Sequence, residues 1–293
     1  MSGFSPAWLA LREAADHRAR NASLAEALRS RFLQRETITV VDLAAGTGSN
    51  LRAVAPLLPA QQSWTLVDHD LVLLAAARDA LARWAETCTP HGKCLSLSKG
   101  AITLEVTFHQ ADLARELDGA LVAGSKSGPD LVTASALFDL TSPDFIRRFA
   151  ASVAKRRAVF YSSLTYNGLQ SWTPRQPADQ QITSAFHRHM MTDKGFGIAA
   201  GPTAAIELSE AFTAQGYSVS EGNSPWRLNA GDAELVAELS RGVAAAVSTT
   251  GALPPREIEA WLARGHKGAG VGHTDTLAFP GSASDMDMAG DED

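Results

Sequence analysis

Three aspartates each stand at the end of an apolar segment, a position from which carboxylates can bind a ligand. Asp42, Asp68 and Asp112 follow segments with the length and apolar content of buried strands. The carboxyl ends of parallel strands form the edge of a sheet at which ligands bind. From the end of its strand, Asp68 is placed to accept hydrogen bonds from both hydroxyls of a ribose, each worth roughly 1.5 to 3 kcal/mol. The pattern therefore favours a nucleoside site.

A glycine turn follows the first of these aspartates and precedes a helical segment. Glycine at 46 and 48 lets the backbone turn sharply and approach a ligand closely. The free amides of the following helix would point at an anion above the turn. A dinucleotide fingerprint needs a third glycine three residues after the second, and Leu51 occupies that position. A nicotinamide-dependent oxidoreductase is disfavoured for this reason, and also because no Tyr-x-x-x-Lys pair follows the strands.

The order acid, three residues, glycine, any residue, glycine resembles the first motif of class I S-adenosylmethionine-dependent methyltransferases. In that family the three strand-end acids lie beside the methionine part, the ribose and the adenine amino group of the cofactor. The resemblance implies S-adenosyl-L-methionine as cofactor, S-adenosyl-L-homocysteine as product, and a doubly wound, mostly parallel, seven-stranded α/β sheet. The cofactor-binding residues that it implies are Asp42, Ala44, Gly46, Gly48, Asp68, His69, Asp112, Leu113, Ala134 and Ser135.

Simpler roles stay open for several of these side chains. Asp68 and Asp112 could each cap the helix that follows, although Asp70 is the better cap beside Asp68. His69 could touch the adenosine or lie in solvent. In the helix that begins at Pro6, Arg12 and Arg20 could meet a ligand carboxylate, or pair with acids on their own helix.

Alternating apolar segments and helical patterns predict one decorated domain. Its expected parts are an N-terminal helical cap (1–36), the cofactor-binding core (37–164), a lid or substrate insertion (165–201), the rest of the core (202–280) and a disordered acidic tail (281–293). Residues 225–268 form a two-helix excursion before an antiparallel last strand, and are expected to be a substrate cover or a homodimer surface. Cys88 and Cys94 are expected to be free thiols in a loop.

Several local features are also predicted. Ser5 and Ser142, each followed by proline, are expected to start helices, as is a capping box from Ser23 to Glu26. A strand is expected to end at Ser162. His273 and Asp275 are two residues apart in the last strand, so they point to the same face and could form a hydrogen-bonded pair.

Methyl transfer from a sulfonium asks the protein mainly for alignment and exclusion of water. An oxygen or nitrogen acceptor must still lose a proton, and a histidine with a pKa near neutrality can take it. His187 and His189 are the candidate bases, with ordinary exposed histidines as the alternative. Tyr166, Trp172 and Asp139 are candidate substrate contacts, although the two aromatic rings could instead pack the insertion onto the sheet.

The net charge and the apolar content of the chain argue against some classes of binding partner. A net charge of −6 argues against a broad cationic surface for nucleic acid. The chain shows neither a signal-peptide pattern nor an apolar run of membrane-spanning length, so we expect a cytoplasmic protein that binds no membrane. A small-molecule substrate is the expected partner. The alternative within the same resemblance is a protein that binds S-adenosylmethionine without catalysis.

Overall fold

A mixed sheet with helices on both faces forms the centre of the protein. The computed structural model describes residues 4–124 and 128–281. The strands of these residues are β1 (Thr37–Leu43), β2 (Gln61–Asp68), β3 (Thr87–His91), β4 (Cys94–Lys99), β5 (Ile102–Gln110), β6 (Leu131–Ser135), β7 (Val159–Thr173), β8 (Tyr217–Asn223), β9 (Trp226–Leu228) and β10 (Gly268–Pro280). The helices are α1 (Pro6–Ala19), α2 (Ala22–Phe32), α3 (Ser49–Val54), α4 (Leu71–Trp84), α5 (Leu113–Val122), α6 (Pro143–Ala154), α7 (Asp179–Met190), α8 (Ala204–Thr213), α9 (Ala233–Ser248) and α10 (Pro255–Ala263).

The strand order confirms the predicted doubly wound α/β fold. The sheet runs β3-β4-β5-β2-β1-β6-β7-β10-β8, and β9 pairs with β10. Strands β5, β2, β1, β6 and β7 are parallel to their neighbours in this series. The last strand, β10, lies antiparallel between β7 and β8. This insertion of the last strand is the arrangement that the methyltransferase resemblance predicts.

The predicted number of seven strands is wrong, since the described residues form ten. Strands β3 and β4 make an antiparallel hairpin from the segment predicted to be a loop around Cys88 and Cys94, both of which are free. Strand β7 continues to Thr173, well beyond its predicted end at Ser162. Its extension pairs with the remote strand β10, and such non-local pairing leaves little local signal.

Helix capping agrees with the sequence at most of the predicted starts. Ser5 accepts the amide of Trp8 before α1, and Ser142 caps α6. The predicted start of α2 at a Ser23 capping box is wrong, because Asn21 accepts the amide of Leu24 and the helix begins at Ala22. The backbone amide of Asn21 also donates to Asp275, which fixes the helix start to β10.

Three hydrophobic clusters hold the layers together. Helices α5, α6 and α8 cover one face of the sheet. Helices α2, α3 and α4 cover the other face, as the alternation of Val40 and Val41 between the two clusters requires. A third cluster joins α1, α7, α9 and α10 over the extended ends of β7 and β10. In the described ranges, 4–124 and 128–281, no helix combines the length and the apolarity that a membrane crossing requires. The predicted tail, apart from Gly281, lies outside these ranges.

Candidate functional site

The glycine turn after β1 is held in a left-handed backbone conformation. The φ angles of Ala44, Gly46 and Gly48 are 51°, 54° and 74°. Ala44 is not a glycine, so its backbone is strained. Ala136, at the end of β6, and Leu164, in β7, also have positive φ angles. Strained non-glycine residues cluster at ligand sites. Ala44 and Ala136 directly follow β1 and β6, and Leu164 directly follows the part of β7 that pairs with β6.

Asp68 ties the glycine turn to the end of β2. Its side chain accepts hydrogen bonds from the amides of Gly46 (2.9 Å) and Asp70 (3.0 Å), and only 4% of the residue is exposed. The helix after β2 is capped by Asp70, whose side chain accepts the amide of Val72 at 2.8 Å. A carboxylate offers about four lone-pair sites, so Asp68 keeps acceptor capacity for a ligand.

Asp42 lies in a buried polar network at the end of β1. One of its oxygens, Oδ1, accepts the Asn50 side-chain amide at 2.7 Å, whereas Oδ2 has no partner among the described residues. Arg20, which directly follows α1, donates to Asn50 (2.8 Å) and to Ser163 (2.9 Å). Burial raises the pKa of Asp42 to about 7, against the opposing effects of the Asn50 hydrogen bond and the Arg20 charge.

The other predicted cofactor residues continue along the same edge. Asp112 caps α5 by accepting the amide of Ala114 at 3.0 Å, and half of its side chain is exposed. Leu113 beside it is buried. His69 is exposed, with Nδ1 3.4 Å from Asp68 Oδ1. Two residues of β6 complete the edge: Ala134 is buried, and Ser135 accepts a hydrogen bond from Ser163 at 3.2 Å.

A second polar cluster lies beyond the end of β6. Tyr166 Oη and His187 Nε2 are 2.9 Å apart. Asp139 is only 7% exposed, and its Oδ1 has no partner within the described ranges. Burial raises the pKa of Asp139 to about 6, although the amide hydrogen bonds and the charge of Arg12 oppose the rise. Burial also lowers the pKa of His187.

Some residues of this cluster were not selected from the sequence as site residues. His273 of β10 packs edge-on against Tyr166 and Trp226, and its Nδ1 donates a hydrogen bond to the Ser224 carbonyl, 3.3 Å away. Burial lowers the pKa of His273 to about 3. Arg12 and Asp16 form an ion pair at 2.8 Å, which their four-residue spacing predicts. The indole of Trp226 contacts both side chains, and the spacing does not predict this contact.

Other predicted residues lie apart from this cluster. His189 contacts Thr249 (3.0 Å) and Lys194 (3.1 Å) on another side of α7. Trp172 is 2% exposed and packs edge-on against Trp261, with ring centroids 5.0 Å apart. Its surroundings are those of a core side chain.

The predicted hydrogen bond between His273 and Asp275 is not found among the contacts of the described residues. Both side chains bond to Ser224 instead, Asp275 Oδ1 accepting its hydroxyl at 2.5 Å. The pairing of β10 with β7 shifts register between Thr274 and Thr276, which breaks the regular alternation that the prediction assumed.

Solved structures resemble this chain at low sequence identity and with TM-scores below 0.5. A methyltransferase from Thiobacillus denitrificans, solved with S-adenosylhomocysteine, is 14% identical over 94% of this chain and 98% of its own, with a TM-score of 0.44. An O-methyltransferase family protein from Burkholderia thailandensis is 13% identical over 94% of this chain and 57% of its own, with a TM-score of 0.47. The cyclopropane synthase MmaA2 from Mycobacterium tuberculosis is 13% identical over 87% of this chain and 83% of its own, with a TM-score of 0.46.

Comparison of the sequence alone gives no match, either to models of protein families or to curated proteins. The choice of activity therefore depends on the residues of the site.

Proposed function

We propose that the protein is an S-adenosylmethionine-dependent methyltransferase that transfers a methyl group to an oxygen or nitrogen atom of a small molecule. The observation that carries this proposal is the position of Asp42 and Asp68 around a left-handed glycine turn, at the carboxyl edge of a doubly wound sheet with an inserted antiparallel last strand. S-adenosylmethionine, when bound, supplies a methyl group activated by a positively charged sulfur.

The residues at this edge fit the chemical groups of that cofactor. Asp68 retains lone pairs that can accept ribose hydroxyls. Asp42 Oδ2 is buried without a partner among the described residues, and an ammonium group would satisfy it. Arg20 donates to two uncharged partners, Asn50 and Ser163, so its charge is available for a carboxylate. The amino-acid part of the cofactor carries both of these groups.

The rest of the site can align the reactants and exclude water. Helix α1 lies over the turn, where a Cβ on Gly46 would come within 3.1 Å of Leu9 Cδ1. The second polar cluster, with Asp139, Tyr166 and His187, follows β6, and ligands of open α/β sheets bind outside strand ends of this kind. We assign the cofactor to the residues around the glycine turn, and the methyl acceptor to the second polar cluster.

Calorimetric titration of the full chain with S-adenosylmethionine, S-adenosylhomocysteine and NADH tests this proposal. We expect the first two to bind and NADH not to bind. Asp68→Asn keeps the size of the side chain, and we expect it to weaken both affinities about 10- to 100-fold because a charge-assisted hydrogen bond is lost. Binding of NADH alone, or unchanged affinities in a variant with normal circular dichroism, would contradict the proposal.

A screen of metabolites with methyl-labelled cofactor separates an enzyme from a binding protein. Transfer of label to an oxygen or nitrogen atom supports the proposal. Tight cofactor binding without transfer to any compound favours a sensor of S-adenosylmethionine.

A further inference from the structure

We propose that Asp139 is the catalytic residue that accepts a hydrogen bond from the O–H or N–H of the methyl acceptor and takes its proton. This inference rests on the proposed function. Asp139 then replaces His187 and His189 as the expected base. The reacting O–H or N–H group of the methyl acceptor lies beside one of its carboxylate oxygens.

The position of Asp139 suits this role. It belongs to a short 3-10 turn, Phe138–Leu140, that follows the end of β6. Asp139 is only 7% exposed, and its Oδ1 has no hydrogen-bond partner in the described part of the chain. Buried polar atoms are almost always hydrogen-bonded, because leaving one unpaired is costly. A ligand that presents a donor would remove this cost.

The histidines near α7 already have partners for the atoms that could act. His187 Nε2 is bonded to the Tyr166 hydroxyl, and His189 is bonded at both ring nitrogens, to Thr249 and Lys194. His273 Nδ1 faces the Ser224 carbonyl. Asp139 differs from these groups in having an acceptor atom that is not bonded by any residue the structure describes.

The charges around Asp139 also favour a hydrogen-bond donor. Arg12 of α1 faces it, but the guanidinium is paired with Asp16 at 2.8 and 3.1 Å. Tyr166 of β7 and His187 of α7 are neutral near pH 7, because burial raises the tyrosine pKa and lowers the histidine pKa. Ionised Asp139 therefore leaves a negative charge that the Arg12–Asp16 pair does not offset.

The proposed step balances without another reactant. The acceptor O–H or N–H bond breaks and its proton passes to Asp139 Oδ1. The electron pair left on the acceptor forms the bond to the methyl carbon. The electron pair of the broken carbon–sulfur bond stays on sulfur.

Paired aromatic probes test the hydrogen bond without knowledge of the natural acceptor. Phenol and anisole differ in the O–H donor, and aniline and N,N-dimethylaniline differ in the N–H donor. Binding to the full chain with S-adenosylhomocysteine would be followed by NMR at the amides of residues 138–140 and 166. We expect phenol or aniline to bind at least about tenfold more tightly than its methylated partner, because the acceptor is charged.

Asp139→Asn should reduce this preference to about twofold or less, while the affinity for S-adenosylhomocysteine stays within twofold of wild type. In the wild type the preference should fall as the pH drops through 6, when Asp139 is protonated. Asp179→Asn makes the same change at an aspartate of α7, outside the turn that holds Asp139; it should leave the preference intact and controls for nonspecific effects.

Equal binding within both probe pairs in the wild type would overturn the assignment of Asp139. A preference that persists in Asp139→Asn would do the same. Failure of the proposed function has a different signature, namely a wild-type chain that does not bind S-adenosylhomocysteine.

Discussion

The two halves of the candidate site lie along one edge of the sheet but are built differently. The cofactor half uses acids at or shortly after the ends of β1, β2 and β5. Nearby backbone amides bond Asp68 and Asp112, and the side chain of Asn50 bonds Asp42. The acceptor half brings together side chains from α1, the turn after β6, β7, α7 and β10. The first half depends on local geometry and the second on long-range packing.

The two halves share one feature that separates Asp42 and Asp139 from Asp68. Asp68 accepts backbone amides at both oxygens. Asp42 and Asp139 each keep one buried oxygen without a partner in the described ranges, and each has a pKa raised by burial. Asp42 and Asp139 therefore each keep a buried oxygen for a hydrogen-bond donor on a ligand.

A substitution at Trp172 tests whether this side chain belongs to the core or to the acceptor half of the site. Trp172→Ala should lower the free energy of unfolding by about 3 to 5 kcal/mol, because it removes a buried indole that packs on Trp261. Denaturant titration measures this loss, and the affinity for S-adenosylhomocysteine should stay unchanged in the folded variant. A small loss of stability with a large change in phenol binding would instead place Trp172 in the acceptor pocket.

Asp42 should make stability depend on pH. Its pKa is about 7 in the folded protein and near 3.8 in the unfolded chain, so the folded state binds the proton more tightly. The tighter proton binding adds on the order of 2 to 4 kcal/mol to the free energy of unfolding. This stabilisation is fully present below pH 4 and is lost as the pH rises through about 7. Asp42→Asn should flatten the unfolding free energy over this window, measured by denaturant titration at several pH values. An unchanged slope would contradict the raised pKa.

Arg12 in α1 and Arg20 directly after this helix provide a matched pair across the two halves. Arg20→Met should weaken binding of S-adenosylhomocysteine about 10- to 100-fold, because a charged donor near Asp42 is lost. Arg12→Met, in the acceptor half, should change that affinity by less than twofold. Calorimetry measures both affinities. An equal loss of affinity in the two variants would contradict the division of the site into a cofactor half and an acceptor half.

The smallest expected effect is at Tyr166. Tyr166→Phe removes the hydroxyl that contacts His187 and keeps the ring, so the free energy of unfolding should fall by about 1 kcal/mol. Thermal unfolding checks this value. A loss above about 3 kcal/mol would mean that the hydroxyl supports the packing of α7 as well as contacting one histidine.

The cofactor half was largely predictable because its signals are short-range. Asp42, Asp68 and the glycine turn are spaced by the lengths of a strand and a helix, and parallel strands bring their ends to one edge. Even Asp70, the cap of α4, follows from local chemistry.

The acceptor half was predicted only in part. Tyr166, Asp139 and His187 were chosen for their residue types, but nothing in their spacing shows that Tyr166 and His187 are bonded. Their contact depends on the extension of β7 by pairing with β10, about a hundred residues later in the chain. The free oxygen of Asp139 is a property of packing that residue type and spacing do not encode.

A crystal structure of the full chain with S-adenosylhomocysteine is the most direct measurement of the central claim. We expect the ribose against Asp68 and the amino-acid part between Asp42 and Arg20, with the sulfur over the glycine turn. Ligand density away from this edge, or Asp68 still bonded only to the amides of Gly46 and Asp70, would contradict it.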